Sequence, residues 1–384
     1  MPGFAPLHRR RWIQWASAAA ALPGLASASR AQSSADRPTV LIGQSAPLTG
    51  PVSEIGLAYA AGAKLYVDAF NQRPDAPVRV ELRQLDDGYA AERAVANARR
   101  LLQDGAVALF GFVGTANSEA AAAVARAQGA VFFGPYAAPD SLRSAANPHV
   151  FLVRPGMGDE AFKMVQHCAT LGLTRIAVVG EDDAMGRAGL EAVKRAVDEL
   201  KLPPLVATAL VPSQSVNVDA AVATVQAAKP QAIIQAALFQ NTAAFIQKMR
   251  KTGYAGSFLN FSAVGIDPLY IALDKQIGGV VVAQVVPSPR NRAIPIVREY
   301  LAAVDNSDQG AGYESLEGFI AAKALCEALR RTGRGANSPA LARTLAGMTQ
   351  YDVGGFRLQM RAGAREAATA IELVSISADG RLIR

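Results

Sequence analysis

Short apolar runs of strand character alternate with stretches of helical periodicity from residue 38 to the end of the chain, and few architectures tolerate that rhythm. Val78, Val80 and Leu82 alternate with Arg79, Glu81 and Arg83, the two-residue period of a half-buried strand. Ala58, Ala61, Leu65 and Ala69 recur along one face of a helix. Further strands are expected at residues 40–42, 107–110, 131–133, 176–179, 206–211, 232–235, 258–261 and 280–286. Helices are expected at 91–103, 160–169, 188–200, 218–228 and 242–251. Three more helices follow at 294–304, 316–331 and 338–346, then a closing strand at 370–377 and a turn at 378–380. Alternating strands and helices imply crossover connections, so parallel sheets covered by helices are predicted. The strands are too many for one modest sheet, and 384 residues suffice for two domains of ordinary size. Two α/β lobes are therefore expected.

The stretch at residues 107–129 carries the most chemistry. An apolar strand empties into Gly111-Phe112-Val113-Gly114-Thr115-Ala116-Asn117-Ser118, and an alanine-rich helix is predicted to begin near Glu119. A strand feeding a glycine-bearing turn and a helix N-terminus is a general anion site. First-turn N–H groups lack intrahelical partners there, and the helix dipole favours negative charge. Thr115, Asn117 and Ser118 add side-chain donors, and the same residues also suit plain helix capping.

Composition narrows the function classes. Hydrophobic residues make up 51% and charged residues 18%, as in a globular rather than a disordered chain. Residues 1–31 contain Arg9, Arg10, Arg11 and Arg30 and no acidic residue, so their removal takes the net charge from +7 to +3. No Lys/Arg stripe is interleaved with aromatics, and nucleic acid is not an expected partner. Residues 1–31 read as an export signal, with a basic start, a weakly apolar middle and small residues at Ala26-Ser27-Ala28 and Ser29-Arg30-Ala31. The apolar part is too short for a stable bilayer anchor. His8-Arg9-Arg10-Arg11 loosely resembles a twin-arginine signal, with His where Ser or Thr is usual, so the Sec and twin-arginine routes both stay open.

No catalytic constellation is apparent. His149 and His167 are the only histidines after the signal, and neither accompanies a G-x-S-x-G elbow. Asp86-Asp87 and Glu181-Asp182-Asp183 follow strand ends, where they suit general acid or metal chemistry, or simply cap the next helix. No C-x-x-C or H-E-x-x-H supports a metal, and no G-x-G-x-x-G or G-x-x-x-x-G-K supports a nucleotide cofactor. Cys168 and Cys326 suit two core cysteines, or a disulfide in an oxidising compartment. An exported two-lobed chain of this kind points towards binding rather than catalysis.

Several stretches together resemble one family, the periplasmic substrate-binding proteins of ABC importers of the leucine/isoleucine/valine-binding type. They are Ile42-Gly43-Gln44-Ser45-Ala46-Pro47-Leu48-Thr49-Gly50-Pro51, Asp86-Asp87-Gly88-Tyr89 with Arg93-Ala94-Val95-Ala96-Asn97-Ala98, and Gly111-Phe112-Val113-Gly114-Thr115. Glu181-Asp182-Asp183-Ala184-Met185-Gly186-Arg187-Ala188-Gly189-Leu190 and Ser315-Leu316-Glu317-Gly318-Phe319-Ile320-Ala321-Ala322 complete the set. The resemblance implies an α/β chain with the type I periplasmic-binding fold, two doubly wound parallel-sheet lobes joined by a three-stranded hinge. It implies an N-terminal lobe of residues 38–153 plus 287–350 and a C-terminal lobe of 154–286 plus 351–384. The crossovers are then expected near 153–155, 285–289 and 350–354. A ligand touching both lobes would favour their closure, and importer permease subunits would recognise the closed form. A monomer in the periplasm, without enzymatic activity, is expected.

The resemblance also implies a site. The Thr115 hydroxyl, beside Ala116, and the N–H groups of Ala137 and Ala138 match positions that hold a ligand carboxylate. Departures are as telling. A hydroxyl common in the 134–141 loop is replaced by Ala137 or Ala138, and an aromatic after the first crossover corresponds to Met157. An aromatic in the 236–241 loop corresponds to Leu238 or Phe239, and the acidic residue that pairs with a ligand ammonium falls at Ser262. An ammonium buried without a carboxylate is costly. The expected ligand is thus a carboxylate without an α-amino group, an aromatic or aliphatic acid in an apolar pocket shaped by Ile55, Tyr136, Met157 and Phe239. Other readings stay open: an amino acid whose amine is met by another carboxylate such as Asp86, a sensor presenting its ligand state to a receptor, or an enzyme using Asp86, Asp87 or Asp183.

Overall fold

A computed structural model describes residues 37–274, 277–348, 350–358, 371–376 and 382–383. The expected export signal at 1–31 and the turn at 378–380 lie outside the described residues.

The chain first lays down β1 (Thr39–Ala46), α1 (Ser53–Gln72), β2 (Arg79–Asp86), α2 (Ala91–Gln103), β3 (Ala108–Phe110), α3 (Thr115–Ala127), β4 (Val131–Phe133) and β5 (Val150–Phe151). The five strands form one parallel sheet in the order β2-β1-β3-β4-β5. Strand alternation decides which residue covers which face. Leu109 and Phe132 point into a core shared with Ala94, Ala98 and Leu101 of α2 and Ala121 and Ala125 of α3. Ala108, Phe110 and Phe133 point the other way, into a core shared with α1.

The second set is α4 (Met157–Thr170), β6 (Ile176–Glu181), α5 (Ala184–Glu199), β7 (Ala207–Val211), α6 (Asp219–Ala228), β8 (Ala232–Ala236), α7 (Phe239–Lys251), β9 (Ser257–Asn260), α8 (Ile266–Ala272) and β10 (Val280–Gln284). Helix α4 packs on α5, which lies over β6 and β8, while α7 packs against α6 and α8. The chain then continues through α9 (Pro295–Asp305), α10 (Tyr313–Thr332) and α11 (Ser338–Gly347), which return to the first sheet: α9 and α10 pack on α1, and α11 on β4. The approach of α1 to α10 is close enough to demand glycine. A Cβ at Gly62 would stand 1.8 Å from the Ser315 carbonyl oxygen.

After α11 come β11 (Tyr351–Asp352), β12 (Arg357–Leu358), β13 (Glu372–Ile376) and β14 (Leu382–Ile383). β11 and β12 form a small antiparallel ladder. That ladder lies against the first lobe's helices, with Ile296 N–H donating to the Gly354 carbonyl and Arg331 over the Tyr351 ring. Residues 350–354, where a crossover was expected, thus lie with the first lobe's helices. The second sheet reads β14-β13-β10-β9-β8-β6-β7. Its β6–β10 core is parallel, but β13 runs antiparallel to β10, and β14 antiparallel to β13. The expected parallel sheets are observed, with this antiparallel edge added where the chain returns after β12.

Helix α3 starts at Thr115, four residues earlier than expected near Glu119. Gly114, at φ 97°, completes the turn in one residue, so the polar residues after it become the first helical turn instead of a loop.

Candidate ligand-binding cleft

Two loops of the first sheet are zipped together beside the start of α3. Tyr136 N–H donates to the Phe112 carbonyl at 2.8 Å, and Gly114 N–H donates to the Tyr136 carbonyl at 3.2 Å. The pairing brings Thr115 alongside Tyr136, Ala137 and Ala138. Tyr89, itself at φ 65°, packs on Gly114, where a Cβ would fall 2.6 Å from its ring. With Val52, Ile55 and Val113 these residues make one wall of a cleft that contains about 430 Å³ of empty space, its mouth included. Met157, Glu160, Met185, Leu238, Phe261 and Ala263, carried by the second sheet and its helices, make the opposite wall. Arg154, on the first crossover, lies between them.

The first wall is rich in donors with nothing to donate to. Among the described residues, no protein group hydrogen-bonds the Thr115 hydroxyl, the Tyr89 hydroxyl, or the N–H groups of Ala137 and Ala138. The opposing wall is apolar apart from Glu160, whose carboxylate is engaged. Ser262 N–H donates to Glu160 Oε2 at 2.7 Å, and Ser262 Oγ donates to Oε1 at 3.0 Å. Burial raises the Glu160 carboxyl, against the pull of Arg154 and the Ser262 bonds. Arg154 is held firmly protonated. Burial works against its charge, but Glu317, Tyr136 and Glu160 outweigh it. Glu317, on the other side of the guanidinium, is pushed up to about 7, burial winning over Arg154.

The acidic pairs after the strand ends are occupied elsewhere. Asp86 accepts from Leu48, Thr49, Gly88 and Arg93. Burial opposes its ionisation, yet the bonds from Thr49, Gly88, Leu48 and Arg93 hold it well below the usual carboxylate range. Asp87 accepts from Ser45 Oγ at 2.7 Å and Tyr89 N–H at 2.8 Å. Asp183 caps α5 through Gly186 N–H at 2.9 Å. Glu181 accepts from Leu238 N–H and Ser213 Oγ, both at 2.9 Å. Cys168 and Cys326 are free and buried, so the disulfide alternative is not realised. Among the described residues no cluster of His, Cys, Asp or Glu suits a metal ion, and no helix is long and apolar enough to cross a membrane.

The sequence matches the profile of a family described as periplasmic binding protein over residues 39–381. This chain belongs to the periplasmic-binding-protein family. Among solved structures, this binding protein is similar to a substrate-binding periplasmic protein from Ralstonia solanacearum. The two are 31% identical over 90% of this chain and 99% of that one, with a TM-score of 0.82. A possible leucine/isoleucine/valine-binding protein from Rhodopirellula baltica SH 1 is 26% identical, covering 91% of this chain and 97% of that one, with a TM-score of 0.85. An extracellular ligand-binding receptor from Verminephrobacter eiseniae ef01-2 shares the fold at 23% identity, covering 90% and 100%, with a TM-score of 0.82. No curated protein matches the sequence.

Of the residues singled out from the sequence, Ile55, Thr115, Tyr136, Ala137, Ala138 and Met157 line this binding protein's cleft. Phe239 and Ser262 do not; their neighbours Leu238, Phe261 and Ala263 do. At the first of these positions the sequence left Leu238 or Phe239 open, and it is Leu238 that faces the cleft. Phe239 opens α7 with its side chain buried. Ser262 spends its hydrogen bonds on Glu160 and Arg154. Ala116 sits in the first turn of α3 with an exposed side chain, leaving only its backbone near the site. Arg154, Glu160, Tyr89 and Met185 line the cleft without having been singled out as ligand contacts. Tyr89 and Met185 lay inside quoted motifs, whereas Arg154 had no local signal beyond being a charge in an apolar crossover, Phe151-Leu152-Val153-Arg154-Pro155.

Proposed function

We propose that this chain is the exported solute-binding subunit of an ABC importer, capturing a small carboxylate that lacks an α-amino group between two closing lobes. The observation that carries the reading is the asymmetry of the cleft. Unpaired O–H and N–H donors gather at Thr115, Tyr89, Ala137 and Ala138, while Met157, Met185, Leu238 and Phe261 oppose them. Hydroxyl and backbone donors gathered beside the start of α3 suit an anion. The apolar wall suits an aromatic or aliphatic body, each 100 Å² buried contributing about 2.5 kcal/mol. An ammonium finds no free carboxylate among the described lining residues: Glu160 is engaged by Ser262 and faces Arg154, and Asp86 is taken up by Leu48, Thr49, Gly88 and Arg93. The cleft would be formed by residues 38–153 with 287–358 on one side and 154–286 with the C-terminal strands on the other. Permease subunits are the expected partners, the periplasm the expected compartment, and a monomer the expected state.

A second reading, an α-amino acid ligand, is favoured by the 26% identity to the possible leucine/isoleucine/valine-binding protein. It requires Glu160 to exchange a Ser262 bond for the ammonium. Mass spectrometry of the small molecule released from the natively purified protein separates the two. A nitrogen-free acid supports the first reading, and leucine, isoleucine or valine sinks it.

A further inference from the structure

Arg154 does more than line the cleft. Its side chain is only 2% exposed, and its guanidinium is divided between the two lobes. Nη2 donates to Ser262 Oγ at 2.8 Å and to Glu317 Oε2 at 3.3 Å, while Nε lies 3.1 Å from Glu317 Oε1. The cation also stands 4.3 Å from the centroid of the Tyr136 ring. Glu317 belongs to α10 and Tyr136 to the loop after β4, both attached to the first sheet. Ser262 follows β9 of the second sheet and is pinned there by Glu160 of α4. A second bond crosses the same gap: the Tyr136 hydroxyl donates to the Ser262 carbonyl at 3.3 Å.

These partners ride on elements that separate when the lobes part. Opening must pull Ser262 away from Tyr136, and from either Arg154 or Arg154's hold on Glu317. Charge-assisted bonds in a site this dry are stronger than their exposed counterparts. We propose that Arg154 is a positioning residue for ligand capture, an inter-lobe strut that favours the closed cleft whether or not a ligand is bound. The proposal rests on the reading that two lobes hinge around a ligand, but not on what that ligand is. Arginine is required because its planar fork spans a carboxylate on one side and a hydroxyl on the other. A lysine ammonium lacks the planar edge that sets Nε and Nη2 against the Glu317 carboxylate while Nη2 reaches Ser262.

The test is small-angle X-ray scattering of the ligand-stripped full chain beside Ser262→Ala and Arg154→Lys, with thermal unfolding of each. Arg154→Met is avoided here because it strands Glu160 and Glu317 without a cation. The strut predicts that the closed-to-open ratio falls about tenfold in both variants. The radius of gyration then rises while the unfolding midpoint moves by only a few degrees. Scattering unchanged in both variants overturns the proposal. So does a change confined to Arg154→Lys and accompanied by a large fall in the midpoint, which marks a packing role. Because no ligand is present, the carboxylate reading can fail while the strut stands, and the reverse.

Discussion

The two walls of the cleft are built from the same kind of strand-end loop, yet they offer opposite chemistry. On the first lobe, β3 empties through Gly114 into α3, and donors at Thr115, Tyr89, Ala137 and Ala138 have no protein partner among the described residues. On the second lobe, the carboxylates near the cleft are already engaged: Glu160 with Ser262, Glu181 with Leu238 and Ser213, Asp183 with Gly186. A buried donor left unmade is expensive, whereas a satisfied pair is inert. On the proposed reading the first wall is completed by an acceptor, and the second presses against apolar surface.

Cutting the seam between the walls should cost the most. Arg154→Met leaves Glu160 and Glu317 buried without their cation, and denaturant unfolding should show a loss of about 3–5 kcal/mol. A loss below about 1 kcal/mol would mean both carboxyls were neutral beforehand. Next comes the donor wall. Thr115→Ala should weaken binding of a benzoate-class acid by roughly 10–100-fold, with the fold intact by circular dichroism. The apolar wall should respond differently. Met185→Ala should weaken the same acid about tenfold, by an amount that grows with the ligand's apolar area and vanishes for acetate. If both substitutions penalise acetate equally, the division of labour between the walls is wrong.

Much of the first wall was legible in the sequence because its parts are local. Strand, glycine turn and helix follow one another between Ala108 and Ala127, so Thr115 could be named from a single stretch. The misplaced start of α3 shows the limit: Asn117 and Ser118 read as a cap, but Gly114 at positive φ had already closed the turn. The seam was not legible. Arg154 meets Ser262 108 residues away and Glu317 163 residues away, and no periodicity encodes such a meeting. The antiparallel edge formed by β13 was hidden for a related reason, since strand direction depends on where the chain returns from.

The smallest expected effect concerns pH, and it probes the contact between α10 and α8. Glu314, at the start of α10, is raised from its ordinary 4.5 to about 8 by burial, with the nearby Asp267 adding to the shift. Its folded state prefers the proton, so this contribution to stability is complete below about pH 4.5 and is lost as pH rises through 8. Between pH 6 and pH 8.5 the unfolding midpoint should fall by a few degrees, on the order of 1 kcal/mol, and Glu314→Gln should flatten the slope. A midpoint that climbs over that range would contradict the assignment.

The claim that one wall awaits an acceptor while the other lacks a free carboxylate is tested most directly by isothermal calorimetry. The protein is first freed of bound molecules by unfolding and refolding. The account predicts saturable binding of a benzoate-class acid and no measurable heat of binding for leucine. Tight leucine binding, with no affinity for the acid, would contradict it.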